Sequence, residues 1–215
     1  MSNDVNEPHR RGLMLALVSP SGAGKTTLSR RLVDEDPNIT LSVSWTTRSP
    51  RPGEVDGIHY HFVDKDQFRT HRAHDGFLEW AEVHDHYYGS PRDSAFAQLR
   101  SGHDLMFDVD WQGALQLRTS APGDVVKVFI LPPNMAELKR RLILRGQDSP
   151  AVIKKRMTNA YGEISRWENF DYVLVNDDLD LSYARLKTIL EAERMRRTRQ
   201  PWLGVFVQSL LREDT

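Results

Sequence analysis

Apolar residues gather in short, nearly continuous runs at 13–18, 39–43, 105–109, 125–131 and 172–175. Runs of this length and continuity predict strands buried on both faces. Between most of them lie stretches with helical spacing, at 25–36, 93–102, 111–119, 134–145 and 179–197. Strand and helix in turn predict an α/β fold, a parallel sheet core covered by helices on both faces. Asp36-Pro37 stops the first helix, and Pro132-Pro133 marks a turn before a later one.

Two stretches break the alternation. Residues 45–90 are polar, aromatic and basic, with strand-like alternation over 58–63 and again around 77–83. They read as an inserted α+β lobe on top of the sheet. Residues 145–155 carry Gly146 and Pro150 and predict a short mobile segment between two helices, a lid spanning 145–157. The core is then 12–44 and 91–200, with a flexible lead-in at 1–11 and a C-terminal tail at 201–215.

Composition narrows the function classes. A chain of 215 residues, 39% hydrophobic, has the size and apolar content of one domain. Its 29 basic and 30 acidic residues nearly cancel, which argues against general binding to nucleic acid or anionic membrane. The absence of cysteine excludes disulfides, thiolate zinc sites and thiol catalysis, and fits a reducing cytoplasm. Residues 1–12 lack the apolar centre of a secretory signal, and the 13–18 run is far too short to span a bilayer. The expectation is a cytoplasmic protein with no membrane or nucleic-acid partner. His59 and His61 flank Tyr60 on an alternating strand, facing away from it, and no histidine pattern resembles a zinc site. The arginines of 194–199, beside Glu191 and Glu193, read as a solvated helix end. Trp202, Phe206 and Leu210 are spaced to dock the tail on the body or on a partner subunit, and the oligomeric state is left open.

Chemistry first appears where the run at 13–18 enters Ser19-Pro20-Ser21-Gly22-Ala23-Gly24-Lys25-Thr26-Thr27, followed by a helical pattern. Strand, small-residue turn, Lys-Thr and helix start form the phosphate-cradling turn of the P-loop NTPase fold. Small residues let successive backbone N–H groups face an anion, and the helix end adds partial positive charge. Lys25 then reaches the β- and γ-phosphates of ATP, and the Thr26 hydroxyl ligates Mg²⁺. The strict pattern opens on glycine, a place held here by Ser19.

A second anion site follows. Arg48 and Arg51 lie three apart beside prolines that stiffen the backbone. Two guanidinium groups on a stiff turn suit a dianionic phosphate, and Tyr60 and Tyr88 can add neutral donors. Asp108 and Asp110 close an apolar strand, where ligands of open α/β sheets gather. Asp110 also stands where it would cap the 111–119 helix.

These strings resemble the guanylate kinase family. The match is carried by SxSxTTRxPRxGExxGxxYxF from Ser42, by Phe77-Leu78-Glu79-Trp80-Ala81, by Tyr87-Tyr88-Gly89-Ser90, by the segment from Phe107 to Gly113, and by Asn176-Asp177-Asp178-Leu179. It runs from about Gly12 to Glu193. The resemblance implies a kinase moving the γ-phosphoryl group of ATP to GMP, with dGMP as a further candidate acceptor. It implies that Arg48, Arg51, Tyr60 and Tyr88 hold the GMP phosphate, and that Ser44, Glu79 and Ser90 hold guanine. Asp108 and Asp110 divide between Mg²⁺ and guanosine in an order left open. Arg145 and Arg156 become lid arginines, joining Lys25 and Arg51 as catalytic residues, and Asn176 and Asp177 belong to the adenine-side loop. A cap role for Asp177 or Asp178 competes with that assignment. The chemistry of guanine agrees: its N1–H and N2 amine both donate toward an ionised Glu79, whereas adenine turns an unprotonated N1 toward it. Kinases for other acceptors and non-catalytic binding modules share the scaffold. The intact Gly24-Lys25-Thr26, Arg48, Arg145 and Arg156 argue against the latter.

Overall fold

The computed structural model describes residues 9–146 and 148–213. Its centre is β1, Met14–Val18, whose five residues are all buried. Alternate side chains enter two separate cores. Leu13, Leu15 and Leu17 join Leu28 and Leu32 of α1 (Lys25–Glu35) and Leu186 and Leu190 of α7 (Leu179–Arg194). Met14, Ala16 and Val18 join Leu99 of α3 (Arg92–Arg100) and Leu117 of α4 (Trp111–Ser120) on the other face. Burial on both faces explains why the strand reads as an unbroken apolar run.

Around β1 the main sheet runs β2 (Ile39–Leu41), β7 (Asp104–Phe107), β1, β8 (Val125–Leu131), β9 (Tyr172–Val175), and every pairing is parallel. This is the expected parallel core. A second sheet of four strands, β4 (His61–Phe62), β3 (Trp45–Thr46), β6 (His86–Pro91) and β5 (Phe77–Val83), lies within 45–91. Its helix α2, Lys65–Ala73, starts on a capping box of Asp64 and Gln67. Of the alternation at 58–63 only His61 and Phe62 pair as strand, and Ile58 is exposed.

Three expectations change. The segment at 145–157 is mostly helix: α5 (Met135–Leu144) ends at Arg145, and α6 runs Pro150–Ile164. Pro150 starts that helix rather than breaking a chain, because the first helical position needs no N–H donor, and Ser149 caps it. Residues 1–8 of the lead-in lie outside the described residues, but Arg10 and Arg11 are pinned by paired hydrogen bonds to Asp104 and Asp124. The arginine stretch is not simply solvated. Arg194 bridges Asp36 and Asp104, and Arg199 is buried beside Glu193. Two of the acids, Asp36 and Asp104, come from distant parts of the chain, so the local pattern with Glu191 and Glu193 does not show how deeply Arg194 is held. The tail, whose docking was left open between the body and a partner subunit, forms α8, Leu203–Glu213, and leaves Val205, Phe206, Val207, Leu210 and Leu211 exposed.

Asp104 is the centre of the clasp at the amino ends of the strands. Fully buried, it accepts from both Nη atoms of Arg10, from Arg194 Nε and from the Leu13 amide. Removing one partner of a buried pair leaves the other charge uncompensated. Asp104→Ala is therefore expected to cost about 3–5 kcal/mol in denaturant unfolding. A loss below about 1 kcal/mol would contradict this role.

Candidate active site

The turn after β1 is shaped by two left-handed glycines, Gly22 (φ 94°) and Gly24 (φ 104°). Side chains are strained in that conformation, and at Gly22 a Cβ would also press on Leu142 at 3.1 Å. Ser19, at the departure from the strict pattern, folds its hydroxyl onto the Pro20 carbonyl. No side chain caps the start of α1. Its first amides remain available to an anion, as a helix N-terminus favours. A cleft of ≈ 570 Å³ opens here, lined by Ser19, Pro20, Ser21, Gly22, Gly24, Lys25, Thr26 and Thr27, and walled by Arg141, Arg145 and Glu163.

Each cation near this cleft leans on an acid where the structure gives it a partner. Lys25 Nζ donates to Asp108, at the end of β7. Arg141 Nε donates to Glu137 at 2.8 Å. Arg156, on α6, donates to the Ser21 hydroxyl of the turn at 2.5 Å and pairs with Asp148 at 3.1 Å. Arg145 ends α5 at the cleft wall.

The second sheet gathers the other predicted residues. Arg48, just beyond β3, donates through both Nη atoms to Glu54 at 2.8 and 2.9 Å, and Glu54 also accepts from the Arg51 amide at 2.7 Å. The guanidinium lies 5.5 Å from the Tyr60 ring centre, and Tyr60 meets Tyr88 edge to face. Arg48, above all, followed by the Arg51 amide, holds the Glu54 carboxyl down at about 2. Burial pushes the Tyr60 phenol up, keeping it a neutral donor. Glu79 and Ser90 face each other across β5 and β6, and the Ser90 hydroxyl donates to Glu79 at 2.6 Å. Ser44 lies 3.4 Å from Ser90, oxygen to oxygen. Glu79 is only 7% exposed, and burial raises its pKa, with a further push from Asp110.

Asp110 itself caps α4, accepting from the Gly113 amide at 2.8 Å. Asp178 caps α7, and Asp177 accepts from the Asp178 amide. Asn176 is buried and turned toward the phosphate turn, donating to the Ala23 carbonyl, and neither it nor Asp177 lines the cleft. The predicted residues thus fall into two groups, one around the turn and one on the second sheet. Asp108 and Asp110 stand between the groups: Asp108 acts on Tyr60, and Asp110 acts on both Glu79 and Glu163.

A family model described as guanylate kinase matches residues 11–193. The chain belongs to the guanylate kinase family. The curated guanylate kinase of Rhizobium meliloti is 53% identical over 205 residues, 95% of this chain and 94% of its own length. That of Caulobacter vibrioides is 50% identical over 212 residues, 99% of each. The crystal structure of guanylate kinase from Anaplasma phagocytophilum matches with a TM-score of 0.71 at 36% identity, covering 93% of this chain and 95% of that one. The resemblance read from the motifs and the parallel-sheet fold both agree with these matches.

The motif from Ser42 contains Glu54 without marking its part, and no local pattern singles out Arg141, Asp148 or Glu163. Glu54 sits three residues after Arg51 in the motif, which was signal enough. Glu163 was beyond reach, because the helix expected after the 145–157 segment gave no sign of which residues would face the cleft. It is half-buried in the cleft wall, its pKa raised by burial and by Asp110 against the opposing pull of Lys25.

The Arg48–Glu54 pair predicts a titration. A carboxyl depressed on folding adds stability that is complete above its ordinary value and fades as the pH falls toward its folded pKa. Carboxyl ¹³C NMR should find Glu54 near 2 and Glu79 above the ordinary 4.5, and Arg48→Met should return Glu54 toward 4.5. A wild-type Glu54 titrating at 4.5 would mean that the fork is not closed in solution.

Proposed function

We propose that this protein transfers the γ-phosphoryl group of ATP to GMP, giving ADP and GDP in purine nucleotide metabolism. The buried Glu79 carboxylate, held by Ser90 and linked to Ser44, carries the reading. Buried polar groups need partners, and guanine supplies two adjacent N–H donors where adenine supplies a lone pair. Family membership over most of the chain supports the same reaction.

In this account the ATP phosphates lie along the turn from Ser19 to Thr27, with Lys25 on the β- and γ-phosphates. Arg48, Arg51, Tyr60 and Tyr88 grip the GMP phosphate, whose oxygen attacks the γ-phosphorus in line as the bond to the β-phosphate oxygen breaks. A monophosphate already ionised at neutral pH needs little help from a base, and no covalent enzyme intermediate forms. Arg145 and Arg156 form a lid over the transferring group, where positioning and charge neutralisation supply most of the catalysis. Asp148 steers Arg156 before closure.

Magnesium suits the donor set: the exposed Thr26 hydroxyl and the carboxylates Asp108 and Asp110 are hard oxygen donors. Thr26 would hold the ion directly, and one of the aspartates through water. When bound, Mg²⁺ neutralises phosphate charge. A further candidate acceptor is dGMP, since Ser44, Glu79 and Ser90 are assigned to the base and not to the sugar. A cytoplasmic setting and small-molecule partners fit the balanced charge, and no helix among the described residues is long and apolar enough to cross a membrane.

An ADP-release assay with GMP, dGMP, AMP and UMP tests the assignment. GMP is expected to be turned over fastest, with AMP slower by ~10³-fold or more in kcat/KM. AMP turnover equal to that of GMP would overturn the acceptor. Glu79 adds a pH signature. Its pKa is raised, and only the ionised form accepts both guanine donors, so KM for GMP should rise as the pH falls through that value. The same raised pKa means that acidification relieves the cost of burying the charge and adds stability. Glu79→Gln should raise KM for GMP and remove its acid dependence. An unchanged acid limb in that variant would assign the effect to another group.

A further inference from the structure

We infer that Asn176 is a positioning residue for the phosphate turn rather than a contact for the nucleobase. It follows β9 directly, its amide held by the Leu131 carbonyl at 2.8 Å, and it is 3% exposed. Its side-chain Nδ2 donates to the Ala23 carbonyl at 2.8 Å. Its own main-chain carbonyl accepts from Arg141 Nη2 at 3.0 Å.

The turn requires such a residue for a geometric reason. An anion cradle aims backbone N–H groups inward, which leaves carbonyls aimed into the protein, where an unpaired acceptor is costly. Ala23 is fully buried, and Asn176 answers its carbonyl from the next strand but one. The fit is close enough to constrain the turn's sequence: a Cβ at Gly24 would lie 2.2 Å from Asn176 Nδ2. The glycine before Lys25 is thus needed both for its left-handed backbone and for this approach. Through its carbonyl the same residue steadies Arg141 on the cleft wall. One buried amide therefore ties the end of the sheet, the turn and a cleft arginine together.

The inference rests on the reading that the turn binds the triphosphate. Calorimetry on wild type, Asn176→Ala and the isosteric Asn176→Asp separates the possibilities, with MgATP, magnesium tripolyphosphate and GMP as probes. Asn176→Asp keeps the size of the side chain but turns an acceptor toward the Ala23 carbonyl. Both variants are expected to lose about tenfold or more in affinity for ATP, and the same factor for tripolyphosphate, which has no base. GMP affinity should be retained, showing a folded protein. Loss for ATP with unchanged tripolyphosphate binding would place Asn176 on the adenine and overturn the inference. So would wild-type affinity for both ligands, or a parallel loss for GMP. Failure of the wild-type protein to bind tripolyphosphate would remove the reading of the turn itself, and the inference with it.

Discussion

A cleft that must grip two polyanions has to hold several cations close together before either ligand arrives. Like charges in a half-buried cleft repel, and each loses part of its hydration. This chain meets the constraint with internal acids. Lys25 rests on Asp108, Arg48 on Glu54, Arg141 on Glu137 and Arg156 on Asp148. These contacts fix the rotamers of long, flexible side chains near the places where phosphates are proposed to sit. They also keep the formal charge near balance, so the cleft is locally basic within a chain that is not.

The scaffold divides its tasks between the two ends of the sheet. At the amino ends of the strands, Asp104 gathers Arg10 and Arg194, and Glu193 takes Tyr172 and Arg199. These buried contacts join the two termini of the described core. At the carboxyl ends, the chain instead leaves amides uncapped at the start of α1 and exposes Thr26 and Asp108. Ligands of open α/β sheets gather at that end. The second sheet then supplies a buried carboxylate, Glu79, on the side where the main sheet's Asp108 and Asp110 are exposed.

Much of this was legible in the residues. Doubly buried strands have no alternation to confuse, so β1 and β8 could be read from apolar runs. The turn could be read because Gly24-Lys25-Thr26 has few uses other than phosphate binding. Arg48 and Tyr60 could be read as phosphate donors from the stiff arginine turn, but Glu79 and Ser90 came from family motifs, since nothing local marks Glu79 as buried rather than exposed. The failures share a physical cause. Pro150 has opposite meanings inside a helix and at its first position, and only the fold says which applies. Arg194 is buried against Asp36, 158 residues away, a distance that local pattern cannot register. The adenine-side reading of Asn176 came from a loop motif, and its contact with the Ala23 carbonyl, 153 residues away, is one that the motif does not mark.

The central claim is that two anion cradles, one of backbone amides and one of arginines, meet in a single cleft. The most direct measurement is competition by adenosine and guanosine joined 5′ to 5′ through a pentaphosphate. If both cradles face one cleft, this compound displaces ATP and GMP together, and binds ~10²-fold or more tighter than either alone. Displacement of only one of the two, at an affinity no better than that nucleotide's own, would contradict the account.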